Sequence, residues 1–191
     1  MPTLILVIIV GAILLWVISA YNRLIALRNR VANAWQQIDV QLKRRHDLIP
    51  NLVEAVKGAM GFERETMEAV IAARSRAVAA TGVAATARAE GELTQALGRL
   101  FAVMEAYPDL KATANVTQLQ QELTGTENVI ASARQQYNDE ATLYNTVQMQ
   151  VPTNLVAGLA KAEPAPLWEI EDQAERAVPR VDLSRGGPAG G

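Results

Sequence analysis

Leu4-Ile5-Leu6-Val7-Ile8-Ile9-Val10-Gly11-Ala12-Ile13-Leu14-Leu15-Trp16-Val17-Ile18 opens the chain as a nearly unbroken apolar run, and no charged side chain occurs from Met1 to Asn22. A helix rises about 1.5 Å per residue, so roughly 20 residues cross a hydrocarbon layer of about 30 Å. A single segment can do so only as a helix, which satisfies its own backbone hydrogen bonds where water is absent. Residues 1–22 are therefore predicted to be a transmembrane anchor set in the lipid bilayer. Trp16 and Tyr21 lie near its far end, where amphipathic rings settle at the headgroups. A cleaved signal peptide would need a positive leading region and a small-x-small cleavage site; Met1-Pro2-Thr3 and Ile18-Ser19-Ala20 are poor candidates for both. A core helix so continuously apolar would be unusual in a chain of 191 residues.

Charge bias then predicts orientation. Arg23, Arg28 and Arg30 follow the run directly, with Lys43, Arg44 and Arg45 further on. The positive-inside rule places the C-terminal body in the cytoplasm and the N-terminus outside, in the cell (inner) membrane.

Working outward, apolar side chains recur at Leu24, Leu27, Val31, Trp35, Ile38 and Leu42, in steps of three and four that form one helical stripe. No Pro or Gly falls between Ala12 and Arg45, so the anchor is expected to run on as a stalk. At His46-Asp47-Leu48-Ile49-Pro50 a chain reversal is expected, with Asp47 as N-cap and Pro50 in the first turn, where its missing N–H costs nothing. A kinked continuous helix is the alternative. A second stripe follows through Leu48, Leu52, Val56, Ala59, Met67, Val70 or Ile71, and Val78, weakened at Gly58 and Gly61 and ending before Gly82. Residues 77–88 read as a loose connection with frayed edges. Leu93, Leu97, Leu100, Met104 and Tyr107 mark a third helix. Val116, Leu119, Leu123, Thr126, Ile130, Ala133, Tyr137, Tyr144, Val147 and Val151 mark the longest, stopped by Pro152. No such helix can bury its stripe alone.

The expected fold is all-α: an N-terminal transmembrane helix continuing into an antiparallel up-and-down four-helix bundle with coiled-coil-like helices. The approximate helices are 23–46, 48–80, 88–107 and 110–151, together forming a body over 23–151. A tail over 152–183 is expected to dock on the bundle through Leu155, Val156, Leu159, Leu167, Trp168 and Ile170, and 184–191 to be disordered.

Composition favours helix and narrows chemistry. Net charge is −2, too small to imply nucleic-acid binding, and the absence of cysteine removes disulfides and thiolate sites. The single histidine, His46, has no partner for a zinc site, and no phosphate loop or nucleophile elbow occurs, so no catalytic, cofactor or metal residue is predicted. His46 is expected to be structural or solvent-facing, and Lys43-Arg44-Arg45 to be either a partner-binding patch or a solvated turn. Trp35 on the stripe reads as a core anchor, and Gln37, Asp39, Asn51 and Glu54 as a possible polar network between the first two helices.

The segment Tyr21-Asn22-Arg23-Leu24-Ile25-Ala26-Leu27-Arg28-Asn29-Arg30-Val31-Ala32-Asn33-Ala34-Trp35-Gln36-Gln37-Ile38-Asp39-Val40-Gln41-Leu42-Lys43-Arg44-Arg45-His46-Asp47-Leu48-Ile49-Pro50-Asn51-Leu52-Val53-Glu54 strongly resembles the bacterial LemA family, most specifically from Asn33 onward. Ala73-Arg74, Glu127-Asn128, Ala133-Arg134, Tyr137-Asn138, Tyr144-Asn145-Thr146 and Val151-Pro152-Thr153-Asn154-Leu155-Val156-Ala157 agree with it. The resemblance covers nearly everything before Ser184. It implies a membrane-anchored four-helix up-and-down bundle with no established enzymatic activity, linked to cell-envelope processes or to a membrane metalloprotease partner. Two departures stand out: Gly158-Leu159-Ala160 replaces an aromatic-glycine-aromatic patch, and Trp168 stands in for the aromatic ahead of the acidic tail segment.

The leading functional expectation is a non-catalytic membrane-anchored scaffold or adaptor binding a membrane or membrane-associated protein through its bundle. Trp35, Lys43, Arg44, Arg45, Asp47, Pro50, Asn51 and Glu54 are its candidate partner-binding or structural residues. The alternatives are an envelope-associated hydrolase using carboxylates such as Glu54 or Glu65, and a self-associating structural protein that forms homo-oligomers.

Overall fold

A computed structural model describes residues 2–58, 64–111 and 113–169. The chain is all-α, and among these residues there is no strand. Helix α1 spans Pro2–Lys57, α2 Arg64–Ala79, α3 Val83–Met104, α4 Pro108–Lys111, α5 Ala114–Met149 and α6 Thr153–Leu159. Helix α1 runs outward from the apolar end, α2 returns, α3 runs outward and α5 returns along nearly the whole body of α1. The dominant pairings are α1 with α5 and α2 with α3, giving the expected bundle.

The stripes do the packing. Leu24, Leu27, Val31, Ile38 and Leu42 of α1 are buried, as are Val116, Leu119, Leu123, Thr126, Ile130, Ala133, Tyr137, Tyr144 and Val147 of α5. Each large aliphatic side chain so buried contributes about 1.5–3 kcal/mol. Helix α1 is also the one described helix long and apolar enough to cross a membrane, and its first part stands clear of the bundle with Leu4–Val10 exposed. This is compatible with a single-pass membrane protein.

The expected reversal at His46–Pro50 does not occur. Helix α1 continues through Pro50 to Lys57, and the returning helix α2 begins at Arg64. An interior proline deprives the carbonyl four residues earlier of its partner; here that carbonyl belongs to His46. Arg74 of α2 donates its Nε–H to it at 2.7 Å. The neighbouring helix thus satisfies the group that proline orphans, and Ile49, Leu52 and Val56 stay on the stripe, fully buried.

The expected loose connection at 77–88 is shorter than the composition implied. Helix α3 already starts at Val83, because Thr86, Ala87 and Ala89 face the interior. The link from α2 needs Gly82, whose φ of 81° lies where side chains are disfavoured. The expected fourth helix is divided: Pro108 begins the short α4, and α5 runs only to Met149. Beyond α6 the chain is extended and lies back along α5 as far as Glu169. Of the expected tail, residues 170–183 and the disordered segment 184–191 lie outside the described residues, as do Ala59 and Gly61.

Candidate functional site

The core is not continuous. One apolar cluster gathers Ile49–Val56, Met67–Ala77, Ala89–Met104 and Val116–Leu123; another gathers Ala20–Leu42, Ile130–Val147, Val156, Ala157 and Trp168. Between them lies a layer of charge. Arg45 and His46 stand on α1 between Leu42 and Ile49, Glu90 on α3, and Glu127 on α5 between Leu123 and Ile130.

Its geometry is tight. Arg45 Nη1 donates to Glu90 Oε2 at 3.1 Å and meets Glu127 Oε2 at 3.0 Å, while Nη2 donates to Thr94 Oγ1 at 2.9 Å. His46 Nε2–H donates to the other Glu90 oxygen at 2.6 Å. Arg45 is 4% exposed and Glu90 3%, so desolvation would be costly were the charges not matched this closely. Both Glu90 oxygens are engaged. A cleft of about 390 Å³ opens beside the layer, bordered by Arg45, Glu90, Thr94, Glu127, Arg134 and Trp168.

The second component is the docked tail. Asn145 donates Nδ2–H to the Ala165 carbonyl and accepts the Ala165 N–H on Oδ1, both at 2.8 Å. Asn138 repeats the arrangement with Trp168, at 3.1 and 2.8 Å. The spacings match: seven helical residues advance about 10.5 Å, and three residues of extended, polyproline-like chain about 9.3 Å. Pro164 and Pro166 flank the grip and bring no N–H needing a partner. Tyr137 donates its hydroxyl to the Pro166 carbonyl at 2.7 Å, and burial raises the phenol above its ordinary pKa. Trp168, 3% exposed, completes an aromatic group with Trp35, at 5.9 Å, while Trp35 meets Tyr137 at 5.6 Å. Arg134 lies over the Trp168 ring at 5.8 Å, a cation–π contact joining tail and cleft.

The family scan matches the LemA family model over residues 34–183. The chain belongs to the LemA family. Curated relatives include Protein LemA of Metamycoplasma hominis, 30% identical over 138 residues, which is 71% of this chain and 63% of that protein. Magnetosome protein MamQ 2 of Paramagnetospirillum magneticum is 25% identical over 183 residues, 81% of this chain and 67% of the relative. The match to Protein LemA thus spans less than two thirds of its length. For this LemA-family chain the resemblance drawn from Tyr21–Glu54 is confirmed from residue 34 onward, and the segment contains Arg45 and His46 of the polar layer.

The other sequence candidates fall in different places. Lys43, Arg44, Asp47, Pro50, Asn51 and Glu54 are exposed on α1, and Glu54 pairs loosely with Lys57 at 3.6 Å. Arg45 is no part of a solvated turn: it lies in a helix with its guanidinium inside. Trp35 is half-buried against the core. Gln37, Asp39, Asn51 and Glu54 are not brought together, because all four project from the outer faces of α1; the polar network forms instead from buried Arg45, His46 and Glu90, with half-buried Glu127 and exposed Thr94 at its edge. Of the expected tail anchors, Val156 and Trp168 are buried, whereas Leu155 and Leu159 point outward. Glu54 and Glu65 are both exposed, and the carboxylates at the cleft are Glu90, Glu92 and Glu127. Asn138, Asn145, Glu90 and Glu127 were not foreseen as site residues.

Proposed function

We propose that this protein is a non-catalytic, membrane-anchored scaffold or adaptor whose helical body binds another membrane or membrane-associated protein. The observation that carries the reading is the single helix α1: one element is both the apolar anchor and the spine of the bundle, so the body is held in fixed relation to the bilayer. At about 1.5 Å per residue, the 35 residues beyond Asn22 extend it about 50 Å from the membrane. The body's buried charges are engaged with one another, which favours a structural platform over a poised reaction centre. A surface suited to a partner is the shallow groove between α1 and α5 at Gln36, Gln37, Val40, Gln41, Val129 and Ala133, where exposed valines sit among amides.

The arginines after the span support a body facing the cytoplasm, with the N-terminus outside the inner membrane. Photo-crosslinking from Val40 and Val129 in intact membranes, with identification of captured neighbours, tests the adaptor role. A defined second protein joined at both positions supports it; recovery of this chain alone, uncrosslinked, overturns it. Crosslinks between copies of this chain would instead favour self-association.

A further inference from the structure

The turn after α5 and helix α6 leave apolar side chains uncovered at one end of the bundle. Leu155 and Leu159 lie one turn apart on α6, with Val151 in the turn before it; the three are 69%, 82% and 82% exposed, rivalling the anchor, where the most exposed large apolar side chain described is Leu15 at 71%. Met149 adjoins them at 68%. Soluble surfaces scatter such residues singly, and several gathered on one short segment mark a contact surface.

The register of the bundle says what that surface meets. Trp35 packs on Tyr137, and Arg45 pairs with Glu127. Ten residues further along α1 is thus ten residues back along α5, as antiparallel helices of equal rise require. Extended the other way, this register sets Ala20 opposite Pro152, past the end of α5. Yet Ala20 is buried and Val17 half-buried, in the same apolar cluster as Val156 and Ala157 of α6. Helix α6, which packs on both α1 and α5, therefore covers the last turns of the anchor itself. Its inner face is on the anchor, and its outer face is apolar. Arg23, Arg28 and Lys161 are exposed at the same end, and no carboxylate occurs from residue 141 to 162.

We infer that α6 is a second, interfacial membrane contact, with Val151, Leu155 and Leu159 lying in the headgroup–acyl boundary of the bilayer that α1 crosses. The inference rests on α1 spanning the bilayer and goes beyond it. An amphipathic segment of this kind lies in the interface plane, about 5–10 Å deep, and neighbouring cations favour anionic lipid. The body, already fixed to the anchor through α1, then touches the bilayer at a second point.

Because the natural chain has no cysteine, a single introduced thiol carries a unique fluorophore. Leu155→Cys, Leu159→Cys, Leu14→Cys in the anchor and Val40→Cys on the distal body are labelled in the full chain. Each is reconstituted in phosphatidylcholine–phosphatidylglycerol vesicles containing a lipid with a nitroxide on its acyl chain. All four sites are exposed, and unchanged circular dichroism verifies folding. The expected result is quenching at 155 and 159 severalfold above that at 40, approaching that at 14. Quenching at 155 and 159 equal to that at 40, with 14 strongly quenched, overturns the inference while leaving the anchor intact. Shielding of 155 and 159 from aqueous iodide without quenching by lipid also overturns it, since a protein would then cover the face. An unquenched label at 14 refutes the anchor and the inference together.

Discussion

Replacing Arg74 by methionine isolates how the bundle tolerates a proline within α1. Methionine keeps the apolar stem and removes the guanidinium, so the His46 carbonyl loses its donor at 2.7 Å. Pro50 cannot supply one. A hydrogen bond from a charged donor contributes about 1.5–3 kcal/mol. Arg74 is half-buried, so water can reach the vacated carbonyl in part, and the expected loss falls to about 1–2 kcal/mol. For a chain of this size that lowers Tm by about 2–8 °C. The decisive comparison is the same substitution in a Pro50→Ala background. Alanine restores the N–H that bonds the His46 carbonyl within α1, and relieves an interior-proline penalty of about 3 kcal/mol. Pro50 is exposed, so little packing is lost. Pro50→Ala alone should therefore raise Tm, and Arg74→Met added to it should cost less than about 0.5 kcal/mol, a coupling of about 1 kcal/mol. Thermal unfolding of the four proteins, full-length in detergent micelles and followed by circular dichroism at 222 nm, measures it. Equal losses from Arg74→Met in both backgrounds would show that Arg74 acts by some route unconnected with the proline, and the compensation would be refuted.

Glu90→Ala removes both oxygens facing Arg45 and His46 and is expected to cost about 3–5 kcal/mol in the same assay, whereas the double change Arg45→Met with Glu90→Leu should recover most of that loss. Asn145→Ala releases two hydrogen bonds to Ala165, a local loss of about 1–3 kcal/mol; cleavage of the tail by limiting protease should accelerate while the helicity of the body stays unchanged. Docking of the tail should also fail in alkali. Burial raises the Tyr137 pKa above its ordinary 10.0, so its contribution is fully present below that pH and is lost as pH rises through the higher folded-state value. Ionisation also removes the hydroxyl proton given to Pro166. A red shift in Trp168 emission above pH 10.0, absent from Tyr137→Phe, would verify this, and an identical profile in both proteins would exclude Tyr137 as the cause.

The apolar stripes were legible because their spacing is itself the packing rule: nearly every side chain assigned to the α5 seam is buried. Three features resisted. Pro50 reads as a breaker when only its own segment is considered, since the donor that rescues it lies on another helix, at Arg74. The charged layer was hidden by residue type rather than by position. Ile38, Leu42, Arg45, Ile49, Leu52 and Val56 keep a four-three rhythm with Arg45 inside it, and Glu90, Leu93, Leu97, Leu100 and Met104 do the same with Glu90. Opposite charges standing on two stripes were the available signal. The asparagine grip had no comparable signature, because amides that hold an extended backbone are spaced to suit a segment twenty to thirty residues away in the chain.

That layer also supplies what the stripes cannot. A seam of apolar residues repeating every seven positions packs almost equally well if α5 slides one repeat along α1, about 10.5 Å. Trp35, now on Tyr137, would meet Ile130 or Tyr144, and neither contact is unfavourable. Arg45 is different. The same slip exchanges Glu127 for Gln120 or Arg134, leaving a buried guanidinium short of one carboxylate in one direction and facing another guanidinium in the other. Charge therefore selects the register that hydrophobicity leaves open. Everything on the returning helix inherits that choice: the height of Asn138 and Asn145 against the tail, and the seating of α6 over Val17 and Ala20. A slipped α5 would draw α6 away from Val17 and Ala20 or drive it beyond them, so a pair of charges in mid-bundle sets where α6 sits along α1.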